Sequence, residues 1–369
     1  MKKIKILVVG QTPPPYGGQA LMIEYMLKAD FDNIKLYHVR MCFSREMNER
    51  GKMSLYKITH LISIIINTIY LRFRYQIPTL YYPPSNSPHV SVLRDLIFLA
   101  TTRFFFKKTI FHFHAAGISE YIPKMNFLLR RVAFFILKEP DLAITSSVYN
   151  PKDAEYLKAK KIEVIPLGIP DMNNEQKRSF KNRDTKELTI LFVGLLNSTK
   201  GEGYLIDAIA KLNGKGYKIK LKIAGKFETD NYKEEFFAKI SNNQLENEVD
   251  YLGVVVGAKK EQAFMDADLF CFPSFFVSES FGLVLLEAMQ FSLPIIATKW
   301  RGIQSIVEDG KNGFLVDIKN ADQISDKIKL FLEDTELRKN MGEQSRRLYL
   351  EKFTLFSYIK NMEKAFLKI

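Results

Sequence analysis

The 369-residue chain predicts an α/β protein of two doubly wound parallel-sheet domains, on three observations. Short β-rich apolar runs alternate with longer helical patterns from end to end, as parallel strands covered by helices on both faces require. The series occurs twice, separated by one polar stretch without apolar periodicity. A prior of about 150 residues per domain gives two or three domains, and 47% hydrophobic residues suffice for their cores.

In the first series the strand candidates are Ile4–Val9, Ile34–Val39, Thr79–Tyr82, Thr109–Phe113, Leu142–Thr145 and Glu163–Ile165. From Pro166 to Glu187 the chain turns polar and charged after Pro-Leu-Gly-Ile-Pro-Asp, the best linker candidate. The second series has strands at Leu188–Val193, Lys220–Ala224, Val249–Leu252, Asp268–Phe272, Pro294–Ala297 and Gly313–Val316. The expected organisation is a Rossmann-like domain over 1–170, a linker over 171–187 and a second Rossmann-like domain over 188–352. A C-terminal helix of about 353–369 rejoins the first. Such sheets bind ligands at the carboxyl ends of their strands, so two that face each other place a site in the cleft between them.

Composition removes several function classes. Aromatics at 13% with ordinary Gly and Pro usage exclude disordered, collagenous and low-complexity chains. Cys42 and Cys271 are too few and too far apart for a disulfide framework or a cysteine zinc site, which points to a reducing compartment and a cytoplasmic location. Met1-Lys-Lys-Ile-Lys imitates a leader, but Gly10 and three prolines stop the apolar run without a cleavage site. Leu55–Leu71 is the most hydrophobic stretch, yet Lys57, His60, Ser63 and Asn67 keep it short of the roughly 20 apolar residues of a membrane span. The net charge is +13, and residues 1–170 hold 24 Lys and Arg against 12 Asp and Glu, leaving 30 against 29 for the remainder. The surplus fits an anionic lipid or acceptor surface, a nucleic-acid footprint, or compositional drift.

The motifs follow strands. After the first strand, Gly10-Gln-Thr-Pro-Pro-Pro-Tyr-Gly17-Gly18 leads into a helix near Gln19. Paired glycines at a helix N-terminus let backbone N–H groups approach an anion, and a plain tight turn is the competing reading. The second half opens alike, Gly194-Leu-Leu-Asn-Ser-Thr-Lys200-Gly201, where a lysine beside a helix start offers a point charge to phosphate or stays an exposed loop residue. The segment from Asp268 to Met289 expects a buried strand, a loop presenting Glu279, and a helix from about Ser280. That helix is apolar nearly all round, so Glu287 reads as a buried carboxylate in need of a partner. Eight residues at helical rise put the two glutamates about 12 Å apart, the scale from a hexose to the ribose of a nucleotide sugar. Strand alternation is expected to send His112 and His114 to opposite faces or ends of the sheet, with His114 at the strand end.

Together these residues resemble the family-4 retaining nucleotide-sugar glycosyltransferases, the glycosyltransferase group 1 or Glu-x7-Glu type. These have the GT-B fold, two Rossmann-like domains facing across a cleft. The resemblance covers essentially the whole chain. Its strongest part is Pro273-Ser274, Glu279-Ser-Phe-Gly282, Leu286-Glu287-Ala-Met289, Leu293-Pro294-Ile-Ile-Ala-Thr298, Gly302 and Glu308-Asp-Gly310-Lys-Asn-Gly313.

The resemblance implies that Gly17 and Gly18 approach the donor diphosphate, with Gly194 in the corresponding second loop, and that Lys200 neutralises it. His114 meets the donor sugar, Glu279 holds sugar hydroxyls, the backbone of Phe281, Gly282 and Leu283 lies near phosphate and sugar, and Glu287 binds ribose. The family's arginine after Gly194 is Leu195 here, with Lys226, Lys299 and Arg301 as substitutes to inspect, and its glycine after the first glutamate is Ser280. The donor implied is a UDP- or GDP-sugar, with no cofactor and no metal. The acceptor is a glycan or lipid-linked intermediate of envelope polysaccharide synthesis, bound by the first domain, with an anionic membrane surface as a further partner. The basic surplus of the first half, with Leu55–Tyr75 and Leu93–Lys108 setting aromatic and aliphatic residues beside Arg and Lys, suits anionic lipid headgroups and a peripheral place on the inner face of the cell membrane. Competing readings are a GT-B epimerase or phosphorylase, a non-catalytic sugar-binding protein, and a nucleic-acid-binding protein. Basic residues interleaved with long apolar stretches speak against the last.

Overall fold

The computed structural model describes residues 3–43, 55–86, 89–173 and 187–369. The first half contributes β1 (Ile4–Gly10), α1 (Gly18–Lys28), β2 (Ile34–Arg40), α2 (Leu55–Arg74), β3 (Thr79–Tyr82) and α3 (His89–Thr102). There follow β4 (Lys108–Phe113), α4 (Ile118–Tyr121), α5 (Phe127–Leu137), β5 (Leu142–Thr145), α6 (Asp153–Tyr156) and β6 (Ile162–Val164). The second half runs β7 (Glu187–Val193), α7 (Glu202–Asn213), β8 (Lys218–Ala224), α8 (Asp230–Asn242), β9 (Val249–Gly253), α9 (Ala258–Asp266), β10 (Leu269–Phe272) and α10 (Leu283–Gln290). It continues through β11 (Ile295–Thr298), β12 (Gly313–Val316), α11 (Ala321–Glu333), α12 (Thr335–Lys352) and α13 (Leu355–Leu367).

The strands form two six-stranded parallel sheets, ordered β2-β1-β3-β4-β5-β6 and β12-β11-β10-β7-β8-β9. Every apolar run expected to be a strand is one, with ends shifted by no more than two residues. Ile6 to Val9 are fully buried in sequence, as in a parallel sheet covered on both faces. On one face of the first sheet, Leu7, Leu80, Tyr82, Phe111 and Ala143 pack with Ile64 of α2, Leu96 and Leu99 of α3, and Ala133 and Leu137 of α5. On the other, Tyr81 meets Phe366 of α13 at 6.2 Å between ring centroids, edge to face.

The chain divides into two compact units, Met1–Leu167 with Leu355–Ile369, and Gly168–Thr354. The start of the expected linker is fastened to the second unit. The Met172 N–H donates to Gln290 Oε1 (2.8 Å), Asn173 Nδ2 donates to the Gln290 carbonyl (2.9 Å), and Arg346 takes Asp171 in two hydrogen bonds. Of the remainder, 174–186 lie outside the described residues and Glu187 already begins β7.

Candidate functional site

In the second sheet the strand order turns back between β7 and β10, the switch point at which open α/β sheets bind ligands. The loops after these two strands carry Lys200 and Glu279, and the fold brings them together. Lys200 Nζ lies 2.7 Å from Glu279 Oε2, with the side chains 13% and 11% exposed. The ammonium also sits 4.6 Å from the centroid of the Phe276 ring and 5.5 Å from that of Phe272, and Ser274 Oγ donates to Glu279 Oε2 at 3.3 Å.

Local sequence explains this placement. Asn197 Oδ1 accepts the Thr199 and Lys200 N–H groups (3.0 and 3.1 Å), folding the loop back on itself. Gly201 has φ +84°, and a Cβ there would stand 2.1 Å from the Pro273 carbonyl oxygen, so only glycine lets the first loop pass under the second. The Phe275 N–H donates to the Thr199 carbonyl at 2.8 Å, clamping the two loops. From the end of β11, Trp300 Nε1 donates to the Phe276 carbonyl (2.9 Å) and the Thr298 hydroxyl donates to the Ser274 backbone carbonyl.

Helix α10 begins at Leu283, not at about Ser280, because Gly282 adopts φ +94° as its N-cap. Glu279, Ser280 and Phe281 are therefore loop residues, and the 12 Å spacing deduced from helical rise does not apply to the two glutamates. The Phe281 ring is buried edge to face against Phe353, leaving its backbone to line the loop. Gly302 packs on the Ser280 carbonyl, where a Cβ would come within 1.9 Å of the oxygen. Neither Gly201 nor Gly282 has a capping side chain, so the first turns of α7 and α10 offer an uncapped positive dipole end to an anion.

Glu287 is not a deeply buried carboxylate: its side chain is 27% exposed, and its partner is Lys260 of α9, with Nζ 2.6 Å from Oε2 and 2.7 Å from Oε1. Nothing in the polar run around Lys260 marks that residue in the sequence, since only the packing of α9 selects which lysine faces α10. Gly194 follows β7 beside Gly225, and a Cβ on Gly225 would lie 1.7 Å from the Gly194 oxygen. Leu195 is half-buried. Of its three substitutes, Lys299 pairs with Asp317 at 3.7 Å and Arg301 is buried with its guanidinium 5.3 Å from the Trp300 ring centroid. Lys226 is exposed, and its carbonyl accepts the Leu196 N–H at 2.9 Å, which sets it next to the Gly194 loop. Glu202, the first residue of α7, was missed by sequence reasoning. It is fully buried, and burial pushes its pKa up to about 7 against the opposing pull of the Tyr232 hydroxyl and the Lys200 charge.

In the first unit, Gly17 is the N-cap of α1, again without a capping side chain, and Gly18 is its first residue. Arg40 Nη2 donates to the carbonyls of Thr12, Pro13 and Pro14 (3.2, 3.0 and 2.8 Å), holding the loop ahead of Gly17. His112 and His114 do not go to opposite faces or ends. Their rings lie 3.9 Å apart, both beside the Tyr81 hydroxyl, 2.7 Å from His112 Nδ1 and 3.3 Å from His114 Nε2. Residues two apart return to the same side of a strand, and the His114 N–H bonds back to the His112 carbonyl at 3.1 Å. Burial lowers both imidazole pKa values, that of His114 to about 3, so both rings are neutral at pH 7. The loop beyond is set by Asp153, which accepts the Gly117 and Ser119 N–H groups at 2.8 Å each, and by Asn86, which donates to the Ala116 carbonyl. Among the described residues no cluster of three or more His, Cys, Asp or Glu side chains could hold a metal ion.

Residues 173–348 match the family model of the glycosyl transferases group 1. An uncharacterized glycosyltransferase of Methanocaldococcus jannaschii is 30% identical over 218 residues, 56% of this chain and 53% of that protein. The capsular polysaccharide biosynthesis glycosyltransferase CapM of Staphylococcus aureus is 26% identical over 260 residues, 66% of this chain and 65% of its own length. The chain thus spans about half to two thirds of these curated relatives. The crystal structure of Anabaena HepE in complex with UDP superposes with a TM-score of 0.72 at 19% identity, over 99% of this chain and 100% of that one. That likeness shows the fold: this is a GT-B architecture of two Rossmann-like domains.

Proposed function

We propose that the chain is a retaining, metal-independent glycosyltransferase that moves a hexose-type sugar from a UDP- or GDP-sugar to a glycan or lipid-linked acceptor of envelope polysaccharide synthesis. The observation that carries this reading is the pairing of Lys200 with Glu279 at the β7/β10 switch point, flanked by two glycine-capped helix N-termini. The family match over residues 173–348 and the UDP held by HepE support it. In this reading residues 188–352 bind the donor, residues 1–170 bind the acceptor, and 171–187 join them.

The bond broken dictates the roles. When a nucleoside diphosphate leaves an anomeric carbon, positive charge grows on the sugar and negative charge on the departing phosphate, so a preorganised cationic surround of that phosphate lowers the barrier most. Lys200 and the first turns of α7 and α10 supply it, with the Gly194 loop and the α1 N-terminus at Gly17 and Gly18 as further backbone donors. Lys226 takes the place of the arginine that Leu195 lacks. Glu279 accepts sugar hydroxyls, Glu287 accepts from the ribose diol, and neutral His114 donates to or accepts from the sugar near the reacting carbon. No carboxylate acts as nucleophile: the acceptor attacks from the leaving-group side and passes its proton to the departing phosphate, which retains configuration.

The deciding experiment is a donor screen read by nucleoside diphosphate release, with and without lipid-linked acceptors. Acceptor-dependent release from one donor is the expected result. Acceptor-independent conversion of the sugar indicates an epimerase, and absence of release from every UDP- and GDP-sugar removes the reading.

A further inference from the structure

The helices that cover one face of the first sheet carry more apolar surface than the core uses. Only Ile64 and Thr68 of the twenty residues of α2 are buried, and only Ala133 and Leu137 of the eleven of α5. A helix that serves a core alone buries one apolar stripe and turns polar residues outward. Here a second stripe, Ile58, Ile62, Ile66, Tyr70 and Phe73, climbs α2 at near-helical spacing with 46 to 60% exposure. Leu128, Val132 and Phe135 repeat it on α5, and Ile97 continues it on the intervening α3. Contacts of α2 with α3 and of α3 with α5 make these one layer.

The exposed charges carried by the three helices have one sign. Neither α2 nor α5 contains Asp or Glu, and the single acid of α3, Asp95, is 2% exposed and held by Tyr82 and Arg94. The cations stand against the aromatic rings: Arg72 lies 5.5 Å from the Phe73 centroid and Arg131 4.8 Å from that of Phe127, while Lys138, just past α5, stands 5.7 Å from that of Phe135 and pairs with Glu139 at 3.5 Å. A concavity of about 500 Å³ on α5 is lined by Arg130, Arg131, Phe134, Phe135, Lys138 and Tyr156. No described helix is long and apolar enough to cross a membrane.

We propose that this α2/α3/α5 face docks on an anionic lipid bilayer, its aliphatic and aromatic side chains entering the headgroup boundary and its arginines and lysines meeting lipid phosphates. The charge selects the occupant. A second copy of the same cationic face repels the first, and a nucleic acid uses the cations but gains nothing from a stripe of isoleucines. The surface stands on its own residues and does not depend on the proposed transfer reaction.

The test is co-sedimentation of the full chain, without donor or acceptor, with vesicles of phosphatidylcholine alone or with about one third phosphatidylglycerol. Binding should be about tenfold or more tighter to the anionic vesicles, and Arg130→Glu with Arg131→Glu should lose about that factor. Ile62→Ser with Ile66→Ser should lose a similar factor, about tenfold, at an unchanged melting temperature because both side chains are exposed. The proposal is overturned by equal binding to both vesicle types, by binding to neither, or by full affinity in the isoleucine variant. RNA binding that anionic vesicles fail to displace overturns it too.

Discussion

Lys200 and Glu279, 79 residues apart in the chain, are each other's counter-ion: Nζ and Oε2 lie 2.7 Å apart and little of either side chain is exposed. A donor that draws Lys200 onto its phosphates and Glu279 onto its sugar must therefore exchange this pair for two new contacts. The pairing lowers the cost of holding both charges in a largely dry loop, so it links site chemistry to local stability.

The first prediction follows. Lys200→Ala and Glu279→Ala should each lower turnover by orders of magnitude, and each should also cost about 1 to 3 kcal/mol of stability by stranding the remaining charge. The double variant should recover part of that stability and none of the activity, a separation that thermal unfolding and donor turnover read together. If both single variants keep full turnover and their melting temperatures, the site is misassigned.

Glu287 is tied to Lys260 on a different helix, and in the proposed function it accepts from the ribose and not from the reacting sugar. Glu287→Gln should therefore raise the donor KM about tenfold with little change in kcat, since a group that binds ground and transition states alike affects binding alone. A fall in kcat at constant KM would instead place Glu287 at the reacting sugar.

Backbone approach gives a third prediction. Gly302 leaves 1.9 Å between a hypothetical Cβ and the Ser280 oxygen, and its own backbone and that loop cannot both stay in place around a methyl group. Gly302→Ala should shift the Ser280 loop, costing several kcal/mol and most of the turnover. Gly216→Ala, whose Cβ would meet nothing within 4 Å, carries only the strain of φ +87° and should cost about 1 to 2 kcal/mol with activity kept. Unfolding curves and turnover of the two variants, side by side, check the contrast.

The strands were legible because Val, Ile, Leu and Phe run without interruption where both sheet faces are covered, and the glycine-rich loops because they fall at strand ends. What could not be read depends on packing between distant segments. Lys260 meets Glu287 only through the registry of two helices, and Trp300 reaches the Phe276 carbonyl only because β11 lies beside β10. The start of α10 was misjudged by three residues because apolar periodicity does not reveal that Gly282 adopts a left-handed conformation. The histidine pair was misplaced by an error in strand parity, and the Tyr81 hydroxyl that both rings share comes from the neighbouring strand β3.

The last prediction concerns pH, where two buried groups act in opposite directions. His112 and His114 have pKa values lowered by burial from the ordinary 6.5, so the unfolded chain binds protons that the folded one refuses. The His114 contribution to stability is present above pH 6.5 and is lost as pH falls toward about 3, at up to about 1.4 kcal/mol per unit, and His112 acts in the same direction. Glu202 has its pKa raised from 4.5 to about 7, so the folded state holds the proton more tightly and stability falls as pH rises between those values. Between pH 4.5 and 6.5 the Glu202 slope opposes those of the two histidines and offsets only part of them, so the wild-type melting temperature should rise gently. Glu202→Gln keeps the neutral form at every pH and removes one slope. Its melting temperature should climb steadily from pH 4.5 to 6.5, and its advantage over the wild type should grow up to about pH 7. Parallel melting curves for the two proteins across that range would show that Glu202 titrates as an ordinary exposed carboxylate.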